Sequence, residues 1–345
     1  MTDLKLNGAN KDTRSQEEIN KDFKHTELFG FGVSEWKEKP ESTWKNFPIR
    51  NQNGSGMCGP FALAKALGAN NVPEYGYKNL DTRFIYNLRG NKTTPGMWMG
   101  DLFEVGVKQG APEDTLLESD NLTEEKANLY QFTEALREEA KKFRGSSYVY
   151  TRGGSIEDAN VAVNNGYYPI ILLRCNIAEW TAEPKVITGM TRKDFDVNHY
   201  VVVVDTTIYN NKKCLIIEDS WGSSYGRNGR RILSEDFVDQ RVEAIGYVID
   251  WKALPAFPKP KKYQFSKTLK RGMNNIDVIV LQDILKYEGC MVPTQNSTGF
   301  YGSITANALV KLWKKHNIAT ISEITSLQGN QVGPKTLAWL NKIYG

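Results

Sequence analysis

Three apolar runs constrain this chain most: "YYPIILLRC" (167–175), "HYVVVVDTTIY" (199–209) and "KKCLIIEDSW" (212–221). Each is continuous and rich in β-branched residues, so each predicts a buried strand. The last two are close enough in sequence to form a hairpin turning around Tyr209–Lys212. The chain before them reads differently. "CGPFALAKALG" (58–68) predicts a helix with Pro60 in its first turn and Gly68 at its end. "LTEEKANLYQFTEALREEAKKF" (122–143) has apolar spacings near three and four and predicts a second, amphipathic helix. Helices followed by strands give an α+β domain.

The flanks of this domain differ from it. Residues 1–28 are polar and read as a tail, and the domain occupies 29–254. Residues 255–265, within and beyond the proline- and lysine-rich "ALPAFPKPKK", read as a linker. Residues 266–345 form a small all-α module. From Lys259 onward there are 12 Lys/Arg against 4 Asp/Glu, a balance of +8 in a chain of net charge +4. A basic module beside a mildly acidic domain suits an anionic partner, and equally a solvated basic face. No interleaved basic and aromatic stripe is visible, so no nucleic-acid partner is expected. No run is long enough to span a bilayer, so no membrane partner is expected. The polar N-terminus lacks the apolar core of a signal peptide, which predicts cytoplasmic synthesis. Cys58, Cys175, Cys214 and Cys290 have neither disulfide-scaffold nor zinc spacing, consistent with a reducing compartment. Cys175, Cys214 and Cys290 are assigned to packing.

Cys58 is different because of where it stands. In "NQNGSGMCGPFALAKALG" (51–68) it follows a glycine-rich turn and begins a helix. Backbone N–H groups and the helix dipole favour a thiolate there, and Gly54 and Gly56 let the chain bend around it. A thiolate nucleophile needs a base, usually histidine. His25 lies in the tail and His316 in the C-terminal module. His199 opens a strand of the main domain. A hairpin centred near Tyr209 or Asn210 would place position 219 or 221 opposite it, and 219 is an aspartate. Gln52, six residues before Cys58, is a candidate amide donor to an oxyanion, beside the Cys58 N–H. Each residue also has an ordinary explanation: an inert buried thiol, a satisfied core histidine, a strand-end aspartate, a loop glutamine.

Together these segments resemble papain-family cysteine peptidases. "QNGSGMCGPFA" is similar to the family's active-site segment, with the same spacing from glutamine to cysteine. "VNHYVVVV" resembles its histidine strand, and "EDSWGSSYGRNG" resembles N-S-W-G-x-x-W-G-x-x-G. The resemblance covers about 225 residues. It implies a two-subdomain peptidase, a helical half and an antiparallel β half. It implies Cys58 as nucleophile, His199 as general base and acid, Gln52 in the oxyanion hole and Trp221 shielding the histidine. Gly222, Gly226 and Gly229 would be turn glycines. Asp219 stands where the family has asparagine, Gly59 replaces a tryptophan, and Ser55 replaces a cysteine, so the family's usual disulfide cannot form. The chain ahead of Cys58 is too short for the family's long inhibitory pro-region, and residues 1–28 read as a disordered tail or, alternatively, as a short occluding segment. No cofactor and no metal are needed for acyl transfer at such a site.

The C-terminal module resembles the three-helix peptidoglycan-binding domain of cell-wall hydrolases. Val278 or Val280, with Leu281, Gln282, Leu285, Gly299, Tyr301, Gly302, Thr305, Ala308, Gly333 and Thr336, fit its pattern. Val278, Leu281, Leu285, Ala308, Leu309, Leu312 and Trp313 are its expected core. The resemblances imply a cysteine peptidase with a peptide or protein substrate, held at bacterial cell wall by peptidoglycan contacts through residues 266–345. Two alternatives stand beside it. One is a non-catalytic wall-binding protein on a peptidase scaffold. The other is a transpeptidase-type acyl transferase.

Overall fold

The computed structural model describes residues 8–10, 35–70, 76–116, 118–128, 131–181, 197–249, 258–291 and 297–345. Most of the expected tail, and the linker through 257, lie outside them. The chain divides into two compact units, one holding 8–10 and 35–249 and the other 258–345.

The first unit begins with a two-residue strand, β1 (Ala9–Asn10), and continues to helix α1 (Cys58–Asn70). All 13 residues of α1 are buried, as expected of a helix at the centre of a core. It runs two residues beyond Gly68. That glycine is not an end signal but a point of close approach: a Cβ there would lie 2.1 Å from the Lys78 carbonyl oxygen. Helix α2 (Thr82–Asn87), strand β2 (Met97–Trp98) and helix α3 (Met99–Lys108) follow, with β1 pairing to β2 in parallel. The single helix expected over 122–143 is instead two short ones, α4 (Glu124–Asn128) and α5 (Glu134–Ala140). Thr133 starts the second, its hydroxyl accepting from the Leu136 N–H at 3.3 Å.

The second half of this unit is a six-stranded antiparallel sheet in the order β3-β8-β4-β5-β6-β7. Its strands are β3 (Ser147–Arg152), β4 (Ile170–Cys175), β5 (Val197–Tyr209), β6 (Lys212–Glu218), β7 (Arg230–Ser234) and β8 (Val242–Ile249). Alternate residues face opposite ways. Ile170, Leu172, Tyr200, Val202 and Val204 join α1 and α3 in one core. Ile171, Leu173, Val201 and Val203 pack with helices α6 (Ile156–Asn164), α7 (Ile177–Thr181) and α8 (Glu235–Arg241) in another. Two buried faces are why these strands read as unbroken apolar runs. Cys175 and Cys214 are buried within these cores, matching their assignment to packing.

The β5–β6 hairpin turns at Asn210–Asn211, both at positive φ (49° and 60°), and Tyr209 pairs with Lys212. This is a two-residue turn whose twist matches the strands. A bulge between Val203 and Asp205 then shifts the register, and the ladder ends at Val202 opposite Glu218. The turn lies within the expected Tyr209–Lys212, centred between Asn210 and Asn211, and beyond the bulge the register is that of a hairpin centred on Asn210, one of the two centres expected. Asp219 is not a ladder partner of His199; it lies just past the strand end.

The second unit holds helices α9 (Ile276–Tyr287), α10 (Ser303–His316), α11 (Ile321–Leu327) and α12 (Pro334–Tyr344). Strand β9 (Leu269–Lys270) pairs antiparallel with β10 (Gln331–Val332). The seven expected core residues are buried here, with Cys290. Helix α11 is additional to the three expected. None of its residues is fully buried, though Ile324 and Leu327 pack partly against the core; a Thr320–Glu323 capping box starts it. The motif polar residues are internal pins. The Gln282 amide accepts from the Gly299 N–H and donates to the Phe300 carbonyl and to Thr305 Oγ1, each at 3.0 Å. Trp313 Nε1 donates to Thr336 Oγ1 at 2.8 Å.

Candidate active site

Cys58 is the first residue of α1, so its N–H has no intrahelical acceptor and stays directed at the helix start. His199 stands near the beginning of β5, the strand against which α1 packs. Its Nε2 is 2.8 Å from Asp219 Oδ1, and both residues are buried. Its Nδ1 has no partner at hydrogen-bond geometry. The Cys58 thiol lies close enough to favour protonation of the ring. The structure thus brings Cys58, His199 and Asp219 together although 141 and 20 residues separate them in turn.

Burial presses the His199 pKa down, but the Asp219 carboxylate and then Cys58 outweigh it and hold it up at about 9, against an ordinary 6.5. Burial would raise the Asp219 carboxyl; His199 and then Arg231 depress it below the usual range instead. The two shifts act on stability at opposite ends of the pH scale. The raised histidine gives stability that is complete below about pH 6.5 and is lost as pH rises through about 9. The depressed carboxylate gives stability present above the unfolded carboxyl pKa and lost in acid. Thermal unfolding should therefore show Tm falling between pH 6.5 and 9 in the wild type, and a flatter alkaline limb in His199→Gln. An unchanged alkaline limb in that variant would contradict the assignment.

Gln52 is buried beside this group. Its backbone N–H donates to the Ser220 carbonyl at 2.8 Å, and its Oε1 accepts from Ser220 Oγ at 2.6 Å. Nε2 donates one hydrogen to the Ser55 carbonyl at 2.5 Å. A primary amide has two such hydrogens, so one is left for a ligand. The 50–52 and 220–222 segments are further joined by the Asn51–Trp221 bridge and by the Gly222 N–H to the Arg50 carbonyl at 3.1 Å. This lacing carries the amide and Asp219 on one unit. The Trp221 ring lies 5.1 Å from the imidazole, centroid to centroid. Gly222, Gly226 and Gly229 all have positive φ (83°, 57° and 79°), as turn glycines require.

Four features escaped the sequence. Trp180 Nε1 and Arg231 Nε both donate to Asp219 Oδ2, at 2.9 and 3.1 Å. The Ser220 N–H donates to Oδ1 at 2.7 Å, so with His199 each carboxylate oxygen has two partners. Lys65, on the Cys58 helix, is ion-paired with Glu218 at 2.6 Å, and both are buried. The fourth is Gly8. A Cβ at that position would lie 2.5 Å from Cys58 Sγ, and the Gly8 carbonyl accepts from the Met97 N–H at 3.0 Å. The backbone of this polar segment therefore lies directly over the thiol, which is 1% exposed. The sequence held one usable signal for Arg231: the Arg230–Arg231 pair on β7 lies across from the end of β6, where Arg230 is opposite Glu218 and Asp219 follows.

Only glycine fits between β1 and the thiol. Gly8→Val should displace β1 and make Cys58 react faster with iodoacetamide than in the wild type. A rate equal to or below the wild-type rate would show that β1 does not limit access.

No protein-family model matches the sequence, and no curated protein resembles it significantly in sequence. Solved structures do resemble it in fold. Xylellain, a cysteine protease from Xylella fastidiosa, superposes with a TM-score of 0.57 at 15% identity over 72% of this chain and 97% of its own. Procathepsin B from Trypanosoma congolense gives 0.50 at 15% identity, covering 72% of this chain and 86% of its own. The chain has the papain-like cysteine protease fold.

Proposed function

We propose that this chain is a cysteine peptidase acting through Cys58, His199 and Asp219, with its C-terminal module serving to hold it at bacterial cell wall. The observation that carries the peptidase reading is the convergence, at one helix start, of a thiol, a histidine paired to a carboxylate, and a fixed amide. The Cys58 thiolate attacks the peptide carbonyl carbon. The oxyanion is held by the Cys58 N–H and the second Gln52 hydrogen. His199 gives its proton to the leaving amine as the C–N bond breaks, leaving a thioester. Neutral His199 then takes a proton from water, hydroxide adds to the thioester, and the acid and the thiol are released. Peptidoglycan binding is supported by the module's motif pattern and its basic balance; the motif residues themselves are structural.

An epoxide-type thiol inhibitor tests the chemistry. An adduct on Cys58, in the full chain or in one starting after Asn10, and lost in His199→Ala, supports an activated thiolate. No adduct in either chain contradicts it. Cosedimentation with insoluble peptidoglycan, lost on removing residues 258–345, tests the targeting. Equal sedimentation with and without them contradicts it.

A further inference from the structure

The carboxylate beside His199 is not a lone charge. Asp219 accepts from four donors, and one of them, Arg231, is a guanidinium buried to 3% exposure. Arg231 is locked where it stands. It donates to the Trp180 carbonyl through Nη1, and its guanidinium carbon lies 4.5 Å over the Trp180 ring. Trp180 in turn donates to the same carboxylate oxygen, so the three side chains fix one another. Of the other charges near this point, Glu218 pairs with Lys65 at 2.6 Å and with Arg230 at 3.1 Å, Arg50 pairs with Asp114 and Asp120 at 2.8 and 2.7 Å, and Glu179 and Arg241 stand on the α7 and α8 helices packed against this face. Cys58 and Asp219 act directly on the imidazole, and Arg231 acts on Asp219.

Charge bookkeeping gives this arrangement a purpose. A thiolate and an imidazolium sum to zero, and a bare aspartate would leave the buried site at −1. An unbalanced negative charge stabilises the imidazolium in a low-dielectric site. That hinders both proton steps: a less acidic His199 protonates the leaving amine more slowly, and a histidine that stays cationic cannot activate water. From this we infer that Arg231 is a positioning residue that offsets part of the Asp219 charge, so that the carboxylate orients His199 while holding its proton less tightly than a bare aspartate would. The inference rests on the peptidase reading. It goes further by assigning the site a fourth charge.

The test is the pH dependence of Cys58 alkylation by iodoacetamide, followed by mass spectrometry on the full chain, with steady-state hydrolysis alongside. In Arg231→Met the alkaline limb, which reports loss of the His199 proton, should move to higher pH. kcat at neutral pH should fall by roughly tenfold or more, the scale of a compromised acid–base step. The acyl-enzyme should accumulate. Arg231→Lys keeps the charge and should hold the limb near the wild-type position even if the lost fork lowers stability. An unmoved limb in a folded Arg231→Met overturns the inference while leaving the peptidase reading intact. If Arg231→Met does not fold, the Lys variant decides: a limb at the wild-type position supports the charge offset, and one moved as far as in Trp180→Phe, which keeps both charges and loosens the clamp, overturns it. A wild type with no reactive Cys58 fails the peptidase reading itself.

Discussion

Asp219→Asn is expected to lose activity and stability together, even though an asparagine serves at this place in the papain family that the sequence resembles. The reason is the donor count. Oδ1 accepts from His199 and the Ser220 N–H, and Oδ2 from Trp180 and Arg231. An amide has only one acceptor oxygen. Whichever way the substituted side chain turned, its NH2 would face two donors. Arg231 would also lose its counter-charge in a site closed to water. Removing one partner of a buried ion pair costs about 3–5 kcal/mol. Chemical denaturation should show a loss of that size, and hydrolysis should fall roughly 100-fold as the imidazole loses its orienting partner. A variant within about 1 kcal/mol of wild type, a typical point-mutation effect, would show that the four-donor clamp does not hold the carboxylate as described.

Glu218→Gln is expected to have an effect of the same size with a different signature. Glu218 receives Lys65 at 2.6 Å, the Phe47 N–H at 2.8 Å and Arg230 at 3.1 Å. Lys65 sits inside α1, and burial lowers its pKa despite the Glu218 charge. Removing the carboxylate leaves that lysine buried without a counter-charge, at about 3–5 kcal/mol. Lys65→Met should cost less, because Glu218 keeps Arg230 and the Phe47 N–H. The pair also joins the helix that carries Cys58 to the strand that ends beside Asp219. Loss of the pair should therefore lower kcat in protein that remains folded. Equal destabilisation by the two substitutions would contradict this assignment of roles.

The sequence disclosed the parts of this site that local chemistry dictates. A thiol after "NGSGM" and before an apolar helix is legible because helix starts and glycine turns have local signatures. His199 was legible because few histidines compete for the role. The strands were legible because both sheet faces are buried. What remained hidden depends on distant partners. Trp180 and Arg231 meet Asp219 only through the packing of α7 and β7 against the end of β6. Lys65 is a single cation inside an apolar helix, and its counter-charge Glu218 lies 153 residues away. The β5 bulge shifted a register that counting alone could not fix. Gly8 lies in a segment whose polarity suggested a tail, and its place over Cys58 follows from the pairing of Ala9 with Met97, 88 residues away.

The most direct measurement is hydrolysis of a casein-type protein and of purified peptidoglycan by the wild-type chain and by Cys58→Ala. The expected result is release of new amino termini from at least one substrate by the wild type and none by the variant. Release from peptidoglycan would mark the wall's stem peptides as substrate, and release from protein alone would mark a wall-held protease. Products that persist in Cys58→Ala, or that appear with neither chain, would contradict a peptidase built on Cys58.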